Sequence, residues 1–170
     1  MASGDSLLIL RPGNGTPTAT ASAGLTSIAG ASSPAERFTV LAFDDGATLE
    51  HFDFPLIMPQ SFAGTTGITL RFMHGSAAAT GNYLLGAALR RIEDDTDDLD
   101  TTAHTYVYQE TSAVTTPSAI GEVAYDSLAL TNAQMDGVIA GDAFILRIRV
   151  DGDTTITGDT YIYQIEVRET

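Results

Sequence analysis

Over residues 142–150 the chain alternates, with Phe144, Leu146, Ile148 and Val150 on one side and Arg147 and Arg149 on the other. A period of two puts successive side chains on opposite faces of a strand, so this stretch reads as a half-buried β-strand. Residues 160–168 repeat the pattern: Tyr161, Tyr163, Ile165 and Val167 alternate with Gln164, Glu166 and Arg168. The intervening DGDTTITGD supplies turn residues, which fits a hairpin or a Greek-key return. Runs rich in β-branched and aromatic residues predict further strands over 6–11, 37–43, 50–56, 68–74, 104–109 and 123–130.

The stretch NYLLGAALRRI, residues 82–92, is ambiguous by pattern alone. Leu84, Leu85, Ala88, Leu89 and Ile92 share one side of a helical wheel, away from Arg90 and Arg91. Against a helix stand Gly86, which costs about 1 kcal/mol relative to Ala, and the acidic run that follows Ile92 where a helix dipole favours cations. Upstream, Ile68, Leu70 and Phe72 alternate with Thr69, Arg71 and Met73, and HGSAAATGN suits a loop between two paired strands. Residues 83–92 are therefore expected to be a strand. One helical turn is expected at 132–137, capped by Thr131 or Asn132 and ended by Gly137.

Strands at this spacing, with no long helical run between them, predict an all-β chain: an antiparallel jelly-roll β-sandwich of about eight strands. The composition changes sharply once. Residues 12–35 contain no charged side chain, only Gly, Thr, Ala, Ser, Pro and Asn14 around Leu25 and Ile28. They read as an extended N-terminal arm, either a disordered tether or a segment that orders on a neighbouring subunit. The expected division is thus 1–36, an N-terminal strand and arm, and 37–170, the sandwich. Asn14-Gly15-Thr16 matches the glycosylation triplet, which means little without a secretion signal.

Charge and composition narrow the function. The 170 residues carry 22 acids and 8 arginines but no lysine, for a net charge of −14. Phosphate backbones favour a basic face, so nucleic acid is not an expected partner. With no cysteine there is no disulfide, thiolate nucleophile or cysteine-ligated zinc. The start MASGDSLLILRPG has no basic region and an apolar run too short for a signal peptide or a membrane span, so no membrane is expected as a partner.

The start MASGDSLLILRP, the run ITLRFMHGSAAATGNYLLGAALRRIEDD, the segment LALTNAQMDGVIAGDAFILRIRVD and the ending YIYQIEVRET together resemble a group of small phage and prophage virion structural proteins. The shared features are a strand running into an acidic run, a turn carrying Met-Asp, a Gly-Asp before a strand of apolar residues alternating with Arg, and a closing Glu-Val-Arg-Glu-Thr. The resemblance covers most of residues 38–170. It implies a jelly roll that decorates a capsid or forms part of a tail, and a strand at 83–92.

Candidate chemistry is sparse. The run Glu93-Asp94-Asp95-Thr96-Asp97-Asp98-Leu99-Asp100 offers oxygens to a cation such as calcium, but it lacks the EF-hand's glycine and its bidentate glutamate, so a solvated loop is expected. Asp151-Gly152-Asp153 reads as an ordinary turn. His51, His74 and His104 are too scattered for a metal motif. No nucleophile elbow, P-loop or dinucleotide fingerprint occurs. Glu50 and Asp53 are the kind of carboxylate pair a glycosidase uses, but chance pairs abound among 22 acids. No catalytic residue, metal or cofactor is therefore assigned, and an enzyme is not expected.

Two readings remain. One is a capsid decoration or cement protein, a homo-oligomer, expected as a trimer, that sits on the major capsid protein at the outer surface of the virion after synthesis in the host cytoplasm. In that reading apolar contacts and the arm hold the assembly, and the acidic face keeps particles apart. The other is a receptor- or glycan-binding module of a tail fibre or baseplate, which needs exposed aromatics. Tyr106, Tyr108, Tyr161 and Tyr163 are the clustered candidates, although their alternation favours the core.

Overall fold

In the computed structural model, which describes residues 4–45, 48–78, 80–151 and 155–170, the alternating runs form two antiparallel sheets. The strands are β1 (Ser6–Leu10), β2 (Thr16–Pro17), β3 (Gly24–Ala29), β4 (Arg37–Phe43), β5 (Glu50–Ile57), β6 (Ile68–Ser76), β7 (Asn82–Arg91), β8 (Gln109–Glu110), β9 (Val114–Thr115), β10 (Ala124–Leu130), β11 (Ala143–Asp151) and β12 (Thr160–Glu169). The first sheet runs β10-β6-β12-β4-β3, with β1 also on β12; the second runs β2-β5-β11-β7-β8, with β9 on β7. The architecture is a jelly-roll β-sandwich. Among the described residues nine strands have five or more residues and three have two, so the expected eight is close for the long ones.

The core lies between the sheets. Phe52 and Phe54 of β5, Tyr83 and Leu85 of β7, and Phe144, Leu146 and Ile148 of β11 meet Leu41 and Phe43 of β4, Leu70 and Phe72 of β6, and Ile162, Ile165 and Val167 of β12. Each large side chain so buried contributes about 1.5–3 kcal/mol. The ambiguous 82–92 stretch is a strand, paired with β11 from Arg91↔Phe144 to Leu84↔Asp151. It imitated a helix because it is buried on both faces: Tyr83, Leu85, Ala87 and Leu89 face the core, while Gly86, Ala88 and Arg90 are also covered.

Three expectations are corrected. Strands β6 and β7 do not pair with each other; β6 lies between β10 and β12, and β7 beside β11, so HGSAAATGN crosses between sheets. Of the two connections that suited β11 and β12, the hairpin is excluded, since they too lie in different sheets; the expected turn at Asp151-Gly152-Asp153 lies partly outside the described residues, as does Ala79 in the HGSAAATGN loop. Residues 12–35 are not a free arm. Thr16 and Pro17 pair with Asp53 and Phe52, His51 N–H donates to Ala21 O, and β3 then pairs with β4 from Gly24↔Ala42 to Ala29↔Arg37. Without charged side chains to solvate, this segment uses its backbone to close one side of the sandwich, first on one sheet and then on the other. The helical turn shrinks to a 3-10 turn, Asn132–Gln134, where Thr131 N–H donates to Gln134 Oε1 at 2.8 Å.

Candidate functional site

One edge of β12 has two partners. Its first residues, Thr160–Ile162 in the ladder, pair with β4, and Ile165 to Arg168 pair with β1. Tyr163 and Gln164 lie where the two partners part, and here β12 carries a bulge against β6. A bulge inserts one unpaired residue and shifts the alternation. Ile162 therefore faces the core with Ile165 and Val167, while Tyr161 and Tyr163 turn outward, each half-buried. The core position that simple alternation favours for these tyrosines is thus overturned by the bulge.

The parting strands open a cleft of about 580 Å³ lined by Arg11, Asn14, Arg37, Phe38, Tyr163 and Gln164, among others. It continues over the outer face of the first sheet into two further hollows, one lined by Ile28, Phe38, Met73, Val123 and Tyr163, the other by Arg71, Met73, Tyr125, Gln164 and Glu166. Met73 lines all three, so they form one groove crossing the strands. The register explains the stripe at its base. Tyr125, Met73 and Gln164 sit opposite one another on β10, β6 and β12, and Phe38 sits opposite Ile28 on β4 and β3. Five neighbouring strands span about 19 Å at the usual sheet spacing.

Aromatic side chains here are held but not covered. Tyr125 is 53% exposed and Phe38 49%. The Phe38 and Tyr163 rings meet edge to face at 6.3 Å, and the Arg71 guanidinium stacks 4.3 Å from the centre of the Tyr125 ring. Burial raises the pKa of the Tyr163 phenol, which is thus neutral and a hydrogen-bond donor at physiological pH.

The outer face of the second sheet is arranged differently. Residues 104–109, expected as a strand, pair only at Gln109–Glu110, and Tyr106 and Tyr108 lie over the sheet. Their rings take the Arg147 and Arg149 guanidinia at 3.8 and 3.9 Å. Arg147 also binds Asp53 bidentately at 2.6 and 2.7 Å, which raises its pKa, and Arg149 Nε donates to Glu110 at 3.0 Å. Gly86 makes room, because a Cβ there would stand 2.9 Å from Arg149 Cγ. Burial pushes the Tyr108 phenol up to about 12. Most rings and charges on this face engage one another, around a hollow of about 320 Å³ lined by Asp53, Arg90, His104, Tyr106 and Arg147.

The other candidates are dispersed. Glu50 accepts from Asp44 N–H at 2.8 Å while Asp53 is held by Arg147, and an odd spacing puts the two on opposite faces of β5. His51 rests against Tyr108, His74 is buried between Tyr83 and Asp126, and His104 meets the Asp98 carbonyl. In the acidic run, Asp97 accepts from Glu93 N–H at 2.7 Å and pairs with Arg90 at 2.6 Å, and Asp98 caps the turn at Thr101, which draws its carboxyl down to about 2. These carboxylates serve their own loop.

A carboxylate cluster that sequence spacing did not reveal joins Asp44 and Asp45 to Asp159, with oxygens within 4.8 Å of one another. Burial, reinforced by the neighbouring aspartates, raises the Asp159 pKa. Such a cluster offers oxygens to a hard cation. Among the described residues no helix is long and apolar enough to cross a membrane.

No protein-family model matches the sequence, and no curated protein matches it. Solved structures do. The CBM22-1 xylan-binding domain from Paenibacillus barcinonensis superposes with a TM-score of 0.56 at 10% identity, over 99% of this chain and 96% of that one. A non-crystalline cellulose specific carbohydrate-binding module, CBM28, superposes with a TM-score of 0.55 at 8% identity, over 92% of this chain and 89% of that one. At such identities the likeness is one of fold: the chain has the jelly-roll β-sandwich of these domains.

Proposed function

We propose that this chain is a glycan-binding module that takes a polysaccharide along the outer face of its first sheet. The observation that carries the reading is the uncovered stripe of Tyr125, Met73, Tyr163 and Phe38 at the base of a groove edged by side-chain amides and guanidinia. A pyranose ring has an apolar C–H face that packs on an aromatic ring, and hydroxyls around its rim that need hydrogen-bond partners. Gln164, Asn14 and the Tyr163 hydroxyl supply such partners beside the stripe. An exposed patch of this kind, bordered by polar groups, marks an interaction site. The shared fold of a xylan-binding domain and a cellulose-specific module supports the same reading.

Binding here proceeds without cleavage. Among the described residues that line the groove, Glu166 is the one acid, and glycoside hydrolysis uses two carboxyl groups. In the phage setting implied by the sequence resemblance, the module belongs to a tail fibre or baseplate and engages a cell-surface glycan. The test is a glycan array followed by affinity electrophoresis, with Tyr163→Ala and Tyr125→Ala alongside. Retention of a polysaccharide that both variants weaken is the expected result. If no polysaccharide is retained, and the chain instead co-sediments with capsids that lack it, the decoration role replaces this one.

A further inference from the structure

Charge in the groove runs against the charge of the chain. The whole sequence has 22 acids to 8 arginines, yet among the described residues Arg11, Arg37 and Arg71 line the groove against Glu166 alone. Glu166 is already engaged: Arg168 Nη2 lies 2.6 Å from one oxygen and the Ser6 hydroxyl donates to the other, which lowers its pKa. Arg71 is 3.9 Å from the same carboxylate. Arg90, Arg91, Arg147 and Arg149 each have an acid at 2.8 Å or less. Arg11 and Arg37 alone make no ion pair with a described residue, and both line the cleft where β1 and β4 part from β12. On a chain with such an excess of acids, two arginines left without a carboxylate in one cleft mark a place kept for an anion from outside.

We infer that the polysaccharide is acidic, its uronic-acid carboxylates being received by Arg11 and Arg37 while its sugar rings lie on Phe38 and Tyr163. This specificity rests on the glycan-binding role proposed above. The guanidinium fork matches a carboxylate bidentately and stays charged at every physiological pH. At physiological salt the field of distant acids is screened within about 8 Å, so the arginines at the cleft govern the local potential. The acidic remainder of the surface repels a polyanion everywhere else, which confines binding to the groove.

The experiment compares polygalacturonate and alginate with their carboxyl-reduced forms and with neutral xylan, by affinity electrophoresis of the full chain. The expected result is retention by at least one uronate polymer, lost on carboxyl reduction. Arg11→Gln combined with Arg37→Gln should weaken that retention by about tenfold or more, as loss of charge-assisted hydrogen bonds implies, at an unchanged melting temperature. Equal retention on the reduced polymer or on xylan, unaltered by the double substitution, overturns the acidic specificity and leaves the glycan-binding role standing. Retention on no polymer of either kind removes both.

Discussion

The ring of Tyr163 lies against Gly75 of the neighbouring strand: a Cβ built on Gly75 would stand 3.1 Å from Tyr163 Cε2 and 2.8 Å from the Glu122 carbonyl oxygen. Glycine at this position lets the bulged tyrosine rest on the sheet as a platform. Gly75→Ala should displace the ring and the loop before β10 at a cost of roughly 1–3 kcal/mol, as overpacking does elsewhere. Polysaccharide retention should fall with it. Tyr163→Ala should weaken retention while lowering the melting temperature less, because the ring is half-exposed. A Gly75→Ala chain with full retention would show that the platform geometry is not needed.

Buried polarity predicts a pH dependence. His74 Nδ1 meets the Tyr83 hydroxyl across the core, and Nε2 lies 2.9 Å from Asp126 Oδ2. Burial lowers the imidazole pKa from 6.5, against the opposing pull of Asp126. The unfolded chain thus binds this proton more readily than the folded one. The resulting stability is fully present above pH 6.5 and is lost as pH falls through the lower folded value. Denaturant midpoints measured from pH 7.5 downwards should decline below this point, and His74→Gln should flatten that part of the curve. Tyr83→Phe, which strands a buried ring nitrogen, should cost about 1–3 kcal/mol at neutral pH.

The two outer faces should separate by mutation. Asp53 holds Arg147 in a part-buried bidentate pair beneath Tyr106. Asp53→Asn leaves that guanidinium short of an anion and should destabilise by about 1–3 kcal/mol, while retention on polysaccharide stays at the parent level. A loss of retention at unchanged stability would move the binding face to the second sheet.

Deleting residues 12–35 should do more than shorten a tether. The deletion removes the β3 partner of β4 and the buried Pro12 and Ala23, and bares a sheet edge that invites aggregation. Thermal unfolding should show a drop of many degrees or an insoluble chain. A truncated chain that melts like the parent would restore the view of this segment as a free arm.

What the sequence determined by itself is the long strands other than Gly24–Ala29, because the alternation of Phe144, Leu146 and Ile148 with Arg147 and Arg149 is a local property that any half-buried strand must show. The strand at Asn82–Arg91 was readable too, through Gly86 and the acids after it, although burial on both faces blurred its period. Tertiary structure decided the rest. A single unpaired residue on β12 reversed the face of Tyr161 and Tyr163, and no local pattern records a bulge that arises where two partner strands diverge. Residues 12–35 have no apolar period, so only long-range backbone pairing with β5 and β4 could reveal that they belong to the sheets. The groove itself gathers Arg11, Arg37, Met73, Tyr125 and Tyr163 from five strands or their ends, and residues so far apart in the chain become neighbours only when the sheet forms.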